Sequence, residues 1–308
     1  MKILVTGGAG FIGSHVVDGY VAAGHRVTVL DNLSTGNKRN LNPRARFIKG
    51  DVAGKKLAVL FKAGRFDAVN HHAAQIDVRR SVTDPLFDVR VNVLGLVNVL
   101  EAARAYGVKK VMFSASGGTY YGECGRPAVE SDPPAPLSPY GVSKLAGEHY
   151  VRAYGARHGI RFTVFRYANV YGPRQDPHGE AGVVAIFCNR ILAGETSFIF
   201  GDGRQQRDYV YVGDVARASL AALRRGDGES VNIGTGRAAS VNELFRILKK
   251  ASGADASFER RPARTGELFR SCLNVAYAKK VLGWAPKVEL EEGLKETFEF
   301  IRRGGAAR

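Results

Sequence analysis

The glycine-rich segment VTGGAGFIGS near the N-terminus constrains the fold of this 308-residue chain more than any other feature. Gly8, Gly10 and Gly13 match the pattern GxGxxG, and Gly7 with the last two matches GxxGxxG. The segment follows a strand-like run and opens a helix-like one, and an acidic residue stands 18 positions after Gly13, as in a βαβ dinucleotide-binding unit. Such glycines let the backbone approach a pyrophosphate at a helix N-terminus, where unpaired N–H groups attract an anion. We therefore predict a dinucleotide site, with a plain tight turn as the alternative.

The acidic residue, Asp31, discriminates between the two nicotinamide cofactors. Its carboxylate can accept hydrogen bonds from ribose hydroxyls but would repel a 2′-phosphate, and Asn32 follows it where NADP sites often carry Arg. The predicted cofactor is therefore NAD. Asp51, followed by Val52, stands at the end of the third strand-like run, near the expected adenine edge. An ordinary strand-ending aspartate is the alternative for Asp51.

Short β-branched runs alternate with helical patterns through the first half of the chain. Runs typical of strands cover 2–7, 26–31, 45–51, 67–74, 110–116 and 161–170. Apolar residues with a period of 3.6 cover 89–107 and predict a helix between two of them. This alternation is typical of βαβ units. We predict an α/β fold with a doubly wound, mostly parallel Rossmann sheet and a smaller C-terminal substrate-binding lobe.

The regular alternation breaks after about residue 172. The segment 171–182 is loop-like, 198–212 is a turn between strand-like runs, and 230–236 is typical of one more strand. Ser240 and Glu243 form a capping box for a helix that ends at Gly253. The predicted division is an NAD-binding domain of residues 1–172 plus roughly 208–236, and a substrate lobe of 173–207 and 237–308.

The composition favours a globular protein from a reducing compartment. Hydrophobic residues make up 45% of the chain, enough for a large core. Cys124, Cys188 and Cys272 are too few and too widely spaced for a disulfide framework. The folded-looking motif begins at once, and no run approaches the roughly 18 apolar residues of a membrane span. We predict a cytoplasmic protein with no membrane partner.

The net charge of +16 raises the alternative of nucleic-acid binding. Lys and Arg are scattered, with runs no longer than Lys249-Lys250, and no nucleic-acid signature accompanies them. An anionic small substrate accounts for part of the charge, so we predict no nucleic-acid partner. The pair His71-His72 lacks an HxxxH pattern or a nearby carboxylate cluster, so no metal site is predicted.

The segment SPYGVSK places a phenol and an ammonium one helical turn apart. Ser138 is a good N-cap and Pro139 suits the first helical position, so Tyr140 falls in the first turn and Lys144 on the same face. A neighbouring ammonium and a cationic nicotinamide would lower the pKa of the tyrosine toward the working pH. Tyr140 could then remove a proton from a substrate hydroxyl as a general base.

Together these motifs resemble the extended short-chain dehydrogenase/reductases, the NAD-dependent epimerase/dehydratases. The resemblance includes TGxxGxxG, Asp31, the segment HHAA, a serine at the end of the fifth strand and YxxxK. Within that family the segments RYANVYGPRQ, GDGRQQRDYVYVGDVARA and NIGTG are similar to the UDP-glucose 4-epimerase branch. The resemblance covers essentially the whole chain.

The resemblance implies a set of cofactor-binding and catalytic residues. The implied NAD-binding residues are Gly7, Gly10, Phe11, Ile12, Gly13, Asp31, Asn32, Asp51, Val52, Ala73, Ala74, Asn92, Ser114, Tyr140, Lys144 and Tyr167. The implied catalytic residues are Ser116, Tyr140 and Lys144. Counting forward from Phe113 gives Ser116 as the catalytic hydroxyl, but the loop is one residue longer than the common form, and Thr119 is the alternative.

The resemblance also implies how a UDP-sugar would bind. Ser116 and Tyr140 would contact the sugar, Asn169, Arg207 and Arg264 the diphosphate, and Phe200 the uracil. The turn IFGDGRQQRD is shorter than in many epimerases, which leaves the nucleotide base open. Ser271 would line the pocket beside the C2 substituent, where a tyrosine excludes N-acetyl groups, although Thr265 and Glu267 depart from the family motif there.

The activity implied by the resemblance is reversible 4-epimerisation of a UDP-hexose through a 4-keto intermediate. A UDP-N-acetylglucosamine or UDP-glucuronate 4-epimerase and a sugar-nucleotide dehydratase are alternatives within the family, and a non-enzymatic NAD-binding regulator is an alternative outside it. Gly117 and Gly118 stand where dehydratases and decarboxylases place an acidic residue, and the first carboxylate beyond them is Glu123. By family analogy, helices over 89–106 and from Ser138 onward form a homodimer interface.

Overall fold

Short runs that contain β-branched and aromatic residues form most strands of the main sheet. This computed structural model describes residues 1–54, 57–177, 182–264 and 266–305. The strands in these ranges are β1 (Lys2–Thr6), β2 (Arg26–Asp31), β3 (Arg46–Lys49), β4 (Ala68–His71), β5 (Lys110–Ser116), β6 (Arg161–Tyr167), β7 (Asn169–Tyr171), β8 (Ser197–Phe200), β9 (Gln206–Tyr211), β10 (Glu229–Ile233), β11 (Ala238–Ser240), β12 (Phe258–Arg261) and β13 (Arg270–Ser271).

Helices connect most of these strands. They are α1 (Phe11–Ala22), α2 (Leu57–Gly64), α3 (Val78–Thr83), α4 (Pro85–Val89), α5 (Gly95–Ala105), α6 (Pro139–His158), α7 (Val183–Leu192), α8 (Val212–Ala222), α9 (Val241–Ser252), α10 (Ala276–Leu282) and α11 (Leu290–Arg302). A π-helical segment, Arg90–Leu94, joins α4 to α5. The helix predicted over 89–107 is confirmed, but the π turn inside it was not predicted. None of the described helices combines the length and apolar character that crossing a bilayer requires.

The main sheet is parallel, with the strand order β10-β6-β5-β4-β1-β2-β3. Alternate residues of β1 face opposite layers: Ile3 and Val5 pack in the apolar cluster that contains α1 and α8, and Leu4 in the one that contains α2 and α5. The connection after β1 leads to β2 on one side of the sheet, and the connection after β4 leads to β5 on the other side. This reversal opens a crevice at the carboxyl ends of β1 and β4. The predicted doubly wound fold is confirmed.

Three C-terminal helices and small sheets form a third apolar cluster. α7, α9 and α11 pack around β8 and β9, and β9 pairs with β7, β11 and β13. The predicted start of α9 is confirmed, since the Ser240 hydroxyl accepts a hydrogen bond from the Glu243 N–H at 3.1 Å. The predicted end is confirmed too, because Gly253 follows the helix with a φ of +66°.

The strand predicted over 161–170 is wrong in its last third. β6 ends at Tyr167, and after Ala168 the chain leaves the main sheet because β7 pairs with β9. β10 joins the main sheet as predicted, whereas β9 belongs to the small sheet. The loop predicted over 171–182 lies partly outside the described residues.

Candidate active site

The glycine loop between β1 and α1 forms the floor of the crevice. Gly7 leaves β1 with a φ of +69°, and its N–H donates to the Leu30 carbonyl at 2.8 Å. Gly13 faces this turn so closely that an added Cβ would lie 2.2 Å from the Gly7 carbonyl oxygen. Among the described residues no side chain caps α1 at Gly10, so the first N–H groups of the helix remain available to an anion.

Asp31 is buried beside this loop and holds it in place. Its carboxylate accepts hydrogen bonds from the N–H groups of Ala9 at 3.0 Å and Leu33 at 2.8 Å. Asp51 lies next to it and accepts from the Asn32 side chain at 2.9 Å. The sequence indicated the cofactor-facing position of Asp31, but the loop-fastening contact with Ala9 became apparent only in the structure.

The phenol and ammonium of α6 reach the same crevice. Ser138 caps the helix by accepting from the Gly141 N–H at 3.1 Å, so the predicted helix start is confirmed. The Lys144 ammonium lies 5.7 Å from the centre of the Tyr140 ring and donates to the Ser114 carbonyl at 3.0 Å. Burial lowers the pKa of Lys144 to about 8, while a nearby carboxylate, Asp88, acts in the opposite direction.

These elements line one cleft. Its walls include the predicted residues Gly7, Gly10, Phe11, Ile12, Gly13, Asp31, Asn32, Asp51, Val52, Ala73, Ala74, Ser114, Tyr140, Lys144 and Tyr167. They also include residues that sequence reasoning missed: Leu30, Ser34, Thr35, Gly50, His72, Ile76, Val91 and Ala115. Asn92 is absent from the lining formed by the described residues, because its side chain bonds to Gln75 and Asp88 behind the wall.

A buried histidine, His71, and a half-buried one, His72, stand beside the lysine. The Nδ1 atom of His72 pairs with the Ser114 hydroxyl at 2.8 Å, and that of His71 with the Thr6 hydroxyl at 2.8 Å. Burial, with the nearby charge of Lys144, lowers the pKa of both imidazoles to about 3, so they are neutral near pH 7. Within the described ranges no group of three or more His, Cys, Asp or Glu side chains is placed to hold a metal ion.

The loop after β5 carries both candidate hydroxyls. Ser116 ends the strand and is half-buried, whereas the Thr119 Oγ1 atom is buried and has no hydrogen-bond partner among the described residues. Arg166 supports this loop from β6 by donating to the hydroxyls of Tyr120 at 2.8 Å and Tyr121 at 2.6 Å. Sequence reasoning missed Arg166, since these two tyrosines lie more than forty positions away from it.

Strand pairing brings the predicted substrate residues toward this loop. Ser116 lies opposite Tyr167 in the main sheet, and Arg207 lies opposite Ser271 in the small sheet. Asn169, at the start of β7, pairs with β9, the strand that carries Arg207. The chain therefore runs from β6, which pairs beside Ser116, directly into β7, which pairs with the strand of the small sheet that carries Arg207.

Both arginines predicted to bind the diphosphate already contact other side chains. Arg207 donates to Glu267 at 3.3 Å, and the Arg264 guanidinium lies 4.0 Å above the Phe200 ring. Arg264 is exposed and Ser271 is buried. Thr265 lies outside the described residues.

Glu123 connects the loop after β5 to the small sheet. Its carboxylate accepts from the N–H groups of Phe269 and Arg270, each at 2.8 Å. Both carboxylate oxygens therefore face β13 rather than Ser116. The sequence marked Glu123 only as the first acidic residue of the loop, since its partners lie some 146 positions later.

Comparisons with known proteins agree with this geometry. The model of the NAD dependent epimerase/dehydratase family matches residues 3–234. The putative UDP-glucose 4-epimerase of Methanocaldococcus jannaschii is 48% identical, over 97% of this chain and 98% of that protein. The crystal structure of the Thermotoga maritima UDP-glucose 4-epimerase with UDP-glucose is 50% identical, with a TM-score of 0.97 and 99% of each chain covered. The Thermus thermophilus UDP-glucose 4-epimerase in complex with NAD is 45% identical, with a TM-score of 0.94 over 99% of each chain.

Proposed function

The chain belongs to the NAD dependent epimerase/dehydratase family, and we propose that it interconverts UDP-glucose and UDP-galactose by inversion at C4. The observation that carries the proposal is that Tyr140 and Lys144 line the same cleft as the glycine loop. Full-length relatives at 45–50% identity are named UDP-glucose 4-epimerase, which supports this activity over others in the family.

The cleft fits NAD, the cofactor of this family. A Cβ at Gly7 or Gly13 would overlap neighbouring backbone atoms, so glycine lets the loop fold tightly at the start of a helix whose first N–H groups can meet a pyrophosphate. The Asp31 carboxylate, buried beside them, is placed for ribose hydroxyls rather than for a 2′-phosphate. Bound NAD supplies the acceptor and donor of the C4 hydride.

The chain's own residues move the proton and hold the sugar. Tyr140 removes the proton of the C4 hydroxyl and returns it after the ring has turned, while the Lys144 ammonium favours the ionised phenol. A hydroxyl on the loop after β5, Ser116 or Thr119, orients the reacting oxygen. Since protonated Lys144 is the active form, turnover falls as pH rises through the pKa of this residue, which is about 8.

Several features favour epimerisation over dehydration. Gly117 and Gly118 follow Ser116 and offer no acid for an elimination step. The Glu123 carboxylate is occupied by two backbone N–H groups of the small sheet. This loop can therefore support oxidation and re-reduction of C4, but neither its glycines nor Glu123 is placed to assist removal of the C6 hydroxyl.

Product analysis tests the proposed function. Incubation with UDP-glucose, without added NAD, should yield UDP-galactose by proton NMR, and the same mixture should form from UDP-galactose. Parallel samples contain UDP-glucuronate or dTDP-glucose in place of UDP-glucose, as alternative substrates. A 6-deoxy product, or turnover of UDP-glucuronate alone, would show that the activity lies elsewhere in the family.

The choice between Ser116 and Thr119 can be made by substitution. We expect Ser116→Ala to lower kcat by roughly a hundredfold, since it removes the hydroxyl proposed to orient the reacting oxygen. Thr119→Val keeps the shape and removes a hydroxyl that has no hydrogen-bond partner among the described residues, so it should change kcat by less than about threefold. The measurement is the steady-state kcat of both variants with UDP-glucose. A larger loss of kcat in Thr119→Val than in Ser116→Ala would identify Thr119 as the catalytic hydroxyl.

We place the sugar nucleotide between the main sheet and the small sheets. Arg207 and Arg264 would clamp the diphosphate, Asn169 would bind it, and Phe200 would pack on the uracil. In the structure Arg207 pairs with Glu267, so on substrate binding the diphosphate would replace the Glu267 carboxylate as the partner of Arg207. In this arrangement residues 1–172 with roughly 208–236 hold NAD, and 173–207 with 237–308 hold the sugar nucleotide.

Ser271 is proposed to determine whether N-acetylated sugars are accepted. The position is buried, and a serine leaves room that a tyrosine would fill. We expect the parent to accept UDP-N-acetylglucosamine, and Ser271→Tyr to lower kcat/KM for that sugar at least about tenfold relative to UDP-glucose. Ser271→Ala, which stays small, should keep the parent ratio. An unchanged ratio in Ser271→Tyr would contradict the assignment.

The helices over 89–106 and from Ser138 onward are proposed to bind a second copy of the chain. They expose Val89, Leu94, Val142 and Tyr150, and Leu86 of the adjoining α4 is 82% exposed. Clusters of exposed large apolar side chains are typical of subunit interfaces. Sedimentation equilibrium should give twice the chain mass of 33.3 kDa, and a monomeric mass would contradict it.

The cysteines support a reducing, cytoplasmic location. Cys124, Cys188 and Cys272 are all free thiols. Disulfides are rare where thiols are kept reduced. Fractionation of the native cells should therefore place the protein with cytoplasmic markers, and recovery with an extracellular fraction would contradict this.

A further inference from the structure

A buried carboxylate lies behind the catalytic wall of the cleft. Asp88, on α4, is fully buried. Its oxygens accept hydrogen bonds from the side chains of Gln75 at 3.1 Å, Asn92 at 2.9 Å and Ser143 at 2.6 Å. All three donors are neutral, and among the described residues no Lys or Arg forms an ion pair with it. A buried carboxylate without a cation in direct contact is costly, so its presence calls for a functional reason.

The three donors belong to three different parts of the wall. Ser143 precedes Lys144 on α6, and Gln75 precedes Ile76, which lines the cleft. Asn92 follows Val91, another lining residue, within the π-helical segment. Asp88 therefore links the loop after β4, the π turn and the catalytic helix at one point.

Gln75 and Asn92 strengthen this link by bonding to each other. The Gln75 N–H donates to the Asn92 side chain at 2.9 Å, and the Asn92 side chain donates to the Gln75 carbonyl at 3.0 Å. The π turn that carries Asn92 is a rare form of helix that is frequently found at functional sites. The cluster thus maintains an uncommon backbone shape directly behind the cleft.

The charge of Lys144 gives the carboxylate a second role. Among the described residues, the titratable groups near Lys144 are His71 at the end of β4, His72 directly after it, Tyr140 from its own helix, Tyr167 in the cleft lining, and Asp88. The histidines are neutral near pH 7. Of these groups Asp88 is the carboxylate, and it opposes the effect of burial on the pKa of Lys144.

We propose that Asp88 is a positioning residue for Tyr140 and Lys144, anchoring α6 through Ser143 and supplying the negative charge that balances the buried ammonium. The inference rests on the proposed epimerase activity. It predicts that loss of this charge lowers the pH at which Lys144 gives up its proton. Because the protonated lysine is the active form, the alkaline limb of the rate profile then moves to lower pH.

The test is the pH dependence of kcat in Asp88→Asn, which keeps the shape and removes the charge. We expect the alkaline limb to move down by about one pH unit, with KM for UDP-glucose changed less than about threefold. Asp84→Asn is the matched control, since Asp84 is an exposed cap on the same helix and asparagine caps equally well. Its profile should match that of the parent.

Ser143→Ala separates anchoring from charge. It removes the 2.6 Å hydrogen bond and leaves the carboxylate, so kcat should fall about tenfold while the alkaline limb stays in place. This variant also decides the anchoring role if Asp88→Asn does not fold. A folded Asp88→Asn with the parent profile, or a Ser143→Ala with the parent kcat, would overturn the proposal.

If the proposed epimerase activity is wrong, the experiments give a different result from the one expected when only the role of Asp88 is wrong. In that case the parent itself would not convert UDP-glucose, and the same profiles would be measured with the UDP-sugar that the product analysis identifies. An active parent with an unshifted Asp88→Asn profile contradicts only the role of Asp88.

Discussion

Replacing Tyr140 by Phe should lower kcat for UDP-glucose by roughly a thousandfold, within the range expected for loss of a general acid–base group. The substitution removes the hydroxyl that exchanges the C4 proton and keeps the ring that lines the cleft. The protein should therefore remain folded and keep its NAD. Rates measured by coupled assay, with NAD content determined on the purified protein, check both parts.

Tyr150→Phe is the matched control for this experiment. Tyr150 lies on the same helix, is 42% exposed and does not line the described cleft. Loss of its hydroxyl should leave kcat within about twofold, since the ring that contributes to the proposed subunit face is kept and the cleft lies elsewhere. Activity of Tyr140→Phe within tenfold of the parent would remove Tyr140 from the proposed role.

Replacing Gly13 by Ala should abolish detectable NAD binding. The new methyl would lie 2.2 Å from the Gly7 carbonyl oxygen, and the nearest atoms are backbone that cannot move aside as a side chain could. The glycine loop would have to shift away from the position that receives the pyrophosphate. We expect the dissociation constant for NAD to rise by more than about a hundredfold, measured by calorimetry on protein freed of NAD.

Gly19→Ala, in the same helix, is the control. A Cβ there would approach nothing closer than the Ala216 Cβ at 3.9 Å, and alanine favours a helix interior by up to about 1 kcal/mol. This variant should bind NAD as the parent does and melt at an equal or higher temperature. Parent-like NAD binding by Gly13→Ala would contradict the assigned position of the pyrophosphate.

The parts of the site that could be predicted from the sequence are local. The glycine loop lies within a dozen residues, and Ser138, Tyr140 and Lys144 within seven, so helix geometry alone places them. The fold class could be predicted because alternating strand and helix periods favour a single topology.

The contacts that were not predicted join residues that lie far apart in the sequence. Asp88 and Ser143 lie 55 positions apart, and Glu123 and Phe269 lie 146 apart, so no local period connects them. Asn92 was assigned to NAD by family resemblance, but its side chain lies behind the cleft wall in the cluster around Asp88. The π turn was not predicted either, because the apolar period on both sides of it is that of an ordinary helix.

The most direct test of the central claim is the fate of a deuterium placed at C4 of UDP-glucose. If hydride leaves C4 and returns to its other face within one binding event, UDP-galactose should form with the deuterium still at C4, in ordinary water and without added NAD. NMR and mass spectrometry of the product measure this directly. Loss of the label to solvent, or product formed only with an external oxidant, would contradict an epimerase in which the cleft around Tyr140 and Lys144 holds NAD throughout.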